Sequence, residues 1–161
     1  MRNHYLFIQY VFVLSILKCA PLFAQESASV RWLTFEQLED SLETNPRPVL
    51  IDFYTDWCTY CRKMDQVVFT NQEVVNMLNE QYYAVRFDAE TASEVIFGGQ
   101  KFVNHQIGKS RTPTHELAQL LASRAGRFAP PVIVILAKDF RVTARYFEYL
   151  NSHRLIKALE K

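Results

Sequence analysis

The amino-acid sequence predicts an α/β domain with a mixed central β-sheet and helices on both faces. Two apolar runs, Val49–Tyr54 and residues 82–88, are short enough for strands and are separated by segments with helical spacing. A third apolar run, Val132–Leu136, leads through a turn into another strand and a capped closing segment. Strand–helix alternation, then a strand pair and a last helix, is the order such a sandwich requires. The length of 161 residues, 49% of them hydrophobic, suits one domain that buries a core without disulfide staples.

Each element has a local cause. Thr34 can cap a first helix, with Gln37 reciprocating three residues later and Leu33 stapling onto Leu38. Asn45-Pro46-Arg47-Pro48 ends that helix. Val49–Tyr54 is apolar except for Asp52 and reads as a strand buried on both faces. Residues 61–68 and 71–80 read as helices, the second with Val74, Val75 and Leu78 on one face, and residues 82–88 as another buried strand. The pattern changes over 89–111, where Gly98-Gly99 between Val95-Ile96-Phe97 and Lys101-Phe102-Val103 predicts a small hairpin with a primed turn. Thr112 and Pro113 read as the cap and first residue of a helix over 115–125 that stops at Gly126. Pro131 opens the strand 132–136, Lys138-Asp139 turns the chain, and a last strand runs from Arg141 to about Tyr149. Asn151 caps the closing helix, with Leu150 and Leu155 placed to staple it. Phe87, Phe128, Phe140, Tyr146, Phe147 and Tyr149 are expected in the core or on the edge strand, and His115 at the surface.

The N-terminus has the layout of a secretory leader. Residues 1–24 hold no acidic residue, begin with Arg2, and carry an apolar stretch over 5–17 that is too short to span a membrane. A small-residue site follows at Ala24. Cleavage there defines a leader of residues 1–24 and one domain of residues 25–161, exported to the periplasm; an uncleaved anchor and a lipoprotein anchor on Cys19 are the alternatives. The mature chain loses Arg2 and Lys18, leaving 16 basic against 17 acidic residues. That balance gives no field for nucleic acid, which is not an expected partner. Of three cysteines only Cys58 and Cys61 remain, a single C-x-x-C pair in an oxidising compartment.

That pair carries the chemistry. A dithiol where a strand turns into a helix places the first sulfur at free backbone amides and the positive end of the helix dipole. Lowering a thiol pKa from ~8.5 to ~7 is worth about 2 kcal/mol and makes about half of it thiolate at neutral pH. Cys58 is therefore the expected nucleophile, forming a mixed disulfide that Cys61, one turn on, resolves. Arg62 and Lys63 add positive charge nearby. Asp52, a carboxylate in an apolar strand, should have a raised pKa and can accept the Cys61 proton. Trp57 and Tyr60 are the expected apolar rim for substrate.

Val49-Leu50-Ile51-Asp52-Phe53-Tyr54 with Trp57-Cys58-x-x-Cys61-Arg62-Lys63-Met64 resembles the active-site strand and helix of the thioredoxin superfamily. Val68-Phe69-Thr70-Asn71-Gln72-Glu73-Val74 and Ala84-Val85-Arg86-Phe87-Asp88 are similar to its exported branch related to the C-terminal domain of the thiol:disulfide interchange protein DsbD. The resemblance covers most of residues 31–160, more loosely after Ala89. It implies a thioredoxin fold with the segment 89–111 inserted after the third strand, and a cis-proline facing the dithiol. Pro131 fits that proline by position; Thr112-Pro113-Thr114 matches in letters but is followed by a helical pattern. The resemblance also implies a reductant of protein disulfides, acting as a monomer on disulfide or dithiol clients. Its upstream electron donor would be of the membrane thiol:disulfide interchange type. The sequence departs from the superfamily at Thr59-Tyr60 between the cysteines, at Pro130 before the expected cis-proline, and at Glu148, where a glycine is common.

Other readings of the same residues remain. A structural zinc site needs two further ligands, and His105, His115 and His153 lack paired spacing, so no metal ligand set and no cofactor are expected. Copper or another soft metal held by the two thiolates, in a binding or delivery module, is the functional alternative.

Overall fold

The computed structural model describes residues 29–161; the leader, the cut after Ala24 and Cys19 lie outside the described residues. The chain runs β1 (Trp32–Leu33), α1 (Phe35–Thr44), β2 (Val49–Tyr54), α2 (Thr59–Lys63, extended by a π-helical turn over Met64–Val68), α3 (Gln72–Gln81) and β3 (Tyr83–Asp88). It continues through the hairpin β4 (Val95–Phe97) and β5 (Gln100–Phe102) to α4 (Glu116–Ala122). A second, two-residue-stranded hairpin follows, β6 (Ser123–Arg124) and β7 (Arg127–Phe128), before β8 (Val132–Leu136), β9 (Val142–Tyr146) and α5 (Ser152–Leu159).

The main sheet has the order β1-β3-β2-β8-β9. β1, β3 and β2 are parallel, whereas β8 and β9 run antiparallel to their neighbours. The side chains of β2 alternate between the two faces of the sheet. Leu50 packs with Met64, Val68, Val74, Leu78 and Leu155 under α2, α3 and α5. Val49, Ile51 and Phe53 pack with Phe35, Leu38, Leu117 and Ala118 under α1 and α4. The alternation puts Asp52 on the Leu50 face, beneath α2.

The caps expected at Thr34 and Asn151 form, and Asn71 supplies one that was not expected. Thr34 and Gln37 make a reciprocal capping box on α1. The Asn71 side chain accepts from the amides of Glu73 and Val74, and the Asn151 side chain from that of Arg154. Leu150 and Leu155 are both fully buried, the staple expected there. Gly98 and Gly99 adopt φ of +60° and +69°, the left-handed pair a primed turn requires.

Five expectations are corrected. The fourth helix starts at Glu116, because His115, and not Thr112, caps it; Nδ1 of His115 accepts from the amide of Leu117 at 3.2 Å. Pro113 and Thr114 instead sit in a loop tied by Asn104 and Gln106. His115 is consequently fully buried. The helix ends at Ala122, and Gly126 serves the β6–β7 turn, where Ala125 and Gly126 have φ of +51° and +73°. Residues 61–68 are not one regular α-helix: Phe69 donates to the carbonyl of Met64 at 3.0 Å, a bond five residues back. The last strand ends at Tyr146, and Phe147–Tyr149 form the connection to α5. The two-residue β1 is too short to show as a hydrophobic period.

Candidate active site

The dithiol stands where β2 meets α2. The amide of Cys58 donates to the carbonyl of Thr55 at 3.1 Å, closing the turn after β2. Cys58 is the N-cap of α2, and its sulfur accepts from the amide of Cys61 at 3.0 Å. The sulfur thus takes the role that an oxygen plays in an ordinary cap, facing the free amides of the first turn. Cys58 and Cys61 are joined as a disulfide, with Cα atoms 5.3 Å apart and both residues almost wholly buried. Arg62 folds back onto the carbonyl of Asp56 and the hydroxyl of Thr59. Lys63 lies over the ring of Tyr149, 5.1 Å from its centroid.

Asp52 is 2% exposed, and its Oδ1 has no hydrogen-bond partner. Its pKa is pushed up from 3.8 to about 7, chiefly because burial penalises the carboxylate; Arg86 opposes the rise and Asp65 reinforces it. Arg86 is the residue sequence reasoning missed. It stands directly beside Asp52 in the β2–β3 register, with Nε 3.9 Å from Oδ2 of Asp52. Its stronger contact is to Asp65, at 2.6 Å. The guanidinium also lies 4.4 Å from the Tyr54 ring centroid and 5.8 Å from that of Trp32. Asp52 and Arg86, charges inside two apolar runs, were a signal available in the sequence; Asp65, on the π turn, gave none.

The other expected site residues gather at the same end of the sheet. Trp57 is 55% exposed, and its Nε1 donates to Glu90 at 3.0 Å. Tyr60 is 60% exposed, its ring centroid 6.0 Å from that of Tyr149. Pro131 follows a cis peptide bond from Pro130 and leads into β8, whose Val132 is paired with Phe53 near the end of β2. Glu148 lies outside the strand and is held by Arg154 at 2.6 Å. Among the described residues, no group of three His, Cys, Asp or Glu side chains converges on a metal position.

The cysteine pair caps a helix at the end of β2, and Pro131 leads into the neighbouring strand β8, an arrangement that suits exchange between a dithiol and a disulfide. The chain belongs to the thioredoxin-like family, which it matches over residues 31–138. Thiol:disulfide interchange protein DsbD of Campylobacter jejuni is 30% identical over 63 residues, covering 38% of this chain and 11% of that protein. The chain thus spans about a tenth of that relative's length. A thioredoxin from Thermus thermophilus superimposes with a TM-score of 0.57 at 21% identity, covering 82% of this chain and 85% of the other. The C-terminal domain of Neisseria meningitidis DsbD in the oxidised form gives 0.51 at 22% identity, covering 76% and 87%. These structures share the fold that the sequence resemblance implied.

Proposed function

We propose that the protein is an exported thiol:disulfide oxidoreductase that reduces disulfides of protein clients. The observation that carries this reading is Cys58, a sulfur in the N-cap position of α2 with its resolving partner one turn away. In the reduced protein the Cys58 thiolate attacks one sulfur of a client disulfide, forming a mixed disulfide and releasing the other client sulfur as a thiolate. Cys61 then loses its proton and attacks Cys58, releasing the second client thiolate and forming the Cys58–Cys61 bond. Two electrons pass to the client, and a donor dithiol must restore the pair.

Asp52 is the proton acceptor for Cys61 in this scheme. A carboxyl with a pKa of about 7 is close to evenly divided between acid and base at neutral pH, which suits it to take and return one proton. Arg86 keeps that pKa from rising further. Trp57, Tyr60 and Pro131 line the approach to Cys58 and receive the client backbone. Export is supported by the leader-like residues 1–24. The alternative, a carrier of copper or another soft metal, would use the same two thiolates.

The reduction potential of Cys58/Cys61, measured by equilibration with glutathione, tests the direction. A value near ~ −270 mV is expected for a reductant, and one near ~ −120 mV would make the protein an oxidant instead.

A further inference from the structure

The β6–β7 hairpin is built against electrostatic economy. Arg124 and Arg127 are direct cross-strand partners around a two-residue turn, and both are exposed. Like charges placed opposite one another in a ladder are destabilising. Among the described residues no carboxylate lies within ion-pair distance of either, nor of Lys63. The cost of the arrangement is not met inside the protein.

The position of the hairpin gives it a use. Its second strand ends at Phe128, three residues before cis-Pro131, so it stands at the dithiol end of the sheet. The Arg124 guanidinium lies 6.0 Å from the ring centroid of Phe147. Two residues on, Tyr149 carries Lys63 over its ring and Tyr60 at its side. The connection between β9 and α5 is thus a pair of aromatic rings with a cation on each. Its one acidic residue, Glu148, is taken by Arg154. Trp57, beside the dithiol, is bonded to Glu90, and exposed Asp56 next to it carries the Arg62 guanidinium on its carbonyl.

We propose that the cationic rim formed by Arg124 and Arg127 beside Phe147 docks an acidic segment of the client polypeptide next to its disulfide. The inference rests on the thiol-exchange reading above and adds the class of client. Carboxylates beside the client disulfide satisfy the unpaired arginines. Charge at such a rim acts through encounter and orientation, and so through the specificity constant at low salt.

The test uses three synthetic peptides with one identical internal disulfide, flanked by Glu, by Gln or by Lys. Their reduction by the protein is followed with dithiothreitol as donor. The Glu peptide should exceed the Lys peptide in kcat/KM by about five-fold or more, a preference that shrinks when salt rises from about 0.05 M to about 0.5 M. Arg124→Glu/Arg127→Glu should abolish or invert the preference while leaving the Gln peptide unchanged, and the milder Arg124→Gln/Arg127→Gln should weaken it. Equal rates on the Glu and Lys peptides, or variants that change all three peptides alike, would overturn the docking proposal and leave the oxidoreductase intact. Reduction of none of the three would overturn the thiol-exchange reading, and the proposal with it.

Discussion

Replacing Asp52 by Asn should make the oxidised protein more stable at neutral pH, by an amount that depends on pH in a defined way. The carboxyl has a pKa of about 7 in the folded protein and 3.8 unfolded, so the folded state holds the proton more tightly. Stability from this group is therefore fully present below about pH 4 and is lost as pH rises toward the folded value. The loss corresponds to about 4 kcal/mol once pH exceeds about 7. Asn is near-isosteric with the protonated acid and does not titrate. Urea denaturation of wild type and Asp52→Asn, read from about pH 4 to about pH 8, should give curves that coincide at the acid end and separate progressively before levelling near neutrality. Other titrating groups cancel in the difference. Parallel curves would refute the account of Asp52 as a buried acid, and with it the supply of a base for Cys61.

Two further outcomes follow from the buried polar residues. Arg86→Met removes the charge that opposes the rise, so the separation between that background and its Asp52→Asn double variant should continue to grow above about pH 7, measured by the same denaturation. His115→Ala removes the α4 cap and the 5.1 Å edge contact with Phe87, and should cost about 2–3 kcal/mol of unfolding free energy, measured by urea denaturation. Burial holds the His115 pKa below 6.5, against the nearby Ser93 and Phe102 carbonyls and Glu116. Its contribution to stability is therefore complete above pH 6.5 and declines as pH falls toward the folded value, opposite in sense to that of Asp52.

What the sequence made legible was whatever a local pattern fixes. The caps at Thr34 and Asn151 rest on short side-chain-to-amide bonds, and the glycine pair at 98–99 on backbone conformation alone. β2 could be read to its bounds because it is apolar apart from Asp52 and its ends are marked by Pro48 and the dithiol turn. The failures lie where tertiary contacts override such signals. Thr112-Pro113 is a sound helix entry by local rules, but Asn104 and Gln106 hold that stretch as loop, and His115 caps from inside the core. The π turn after Lys63 changes a hydrogen-bond register without changing the hydrophobic period. At the site, Cys58, Cys61, Asp52 and Pro131 were accessible because each breaks or punctuates a pattern. Arg86 could have been found by setting Tyr83–Asp88 beside Val49–Tyr54, whereas the partners Asp65, Glu90 and Tyr149 are brought in by packing from distant segments.

The central claim is that Cys58 attacks and Cys61 resolves, and a trapping experiment with the two single variants addresses it directly. Reduced Cys61→Ala, offered an oxidised protein client, should accumulate a mixed disulfide through Cys58 that survives non-reducing electrophoresis. Cys58→Ala should trap none, because Cys61 lacks the capping position that stabilises a thiolate at Cys58. Equal trapping by both variants, or none by either, would contradict the assignment.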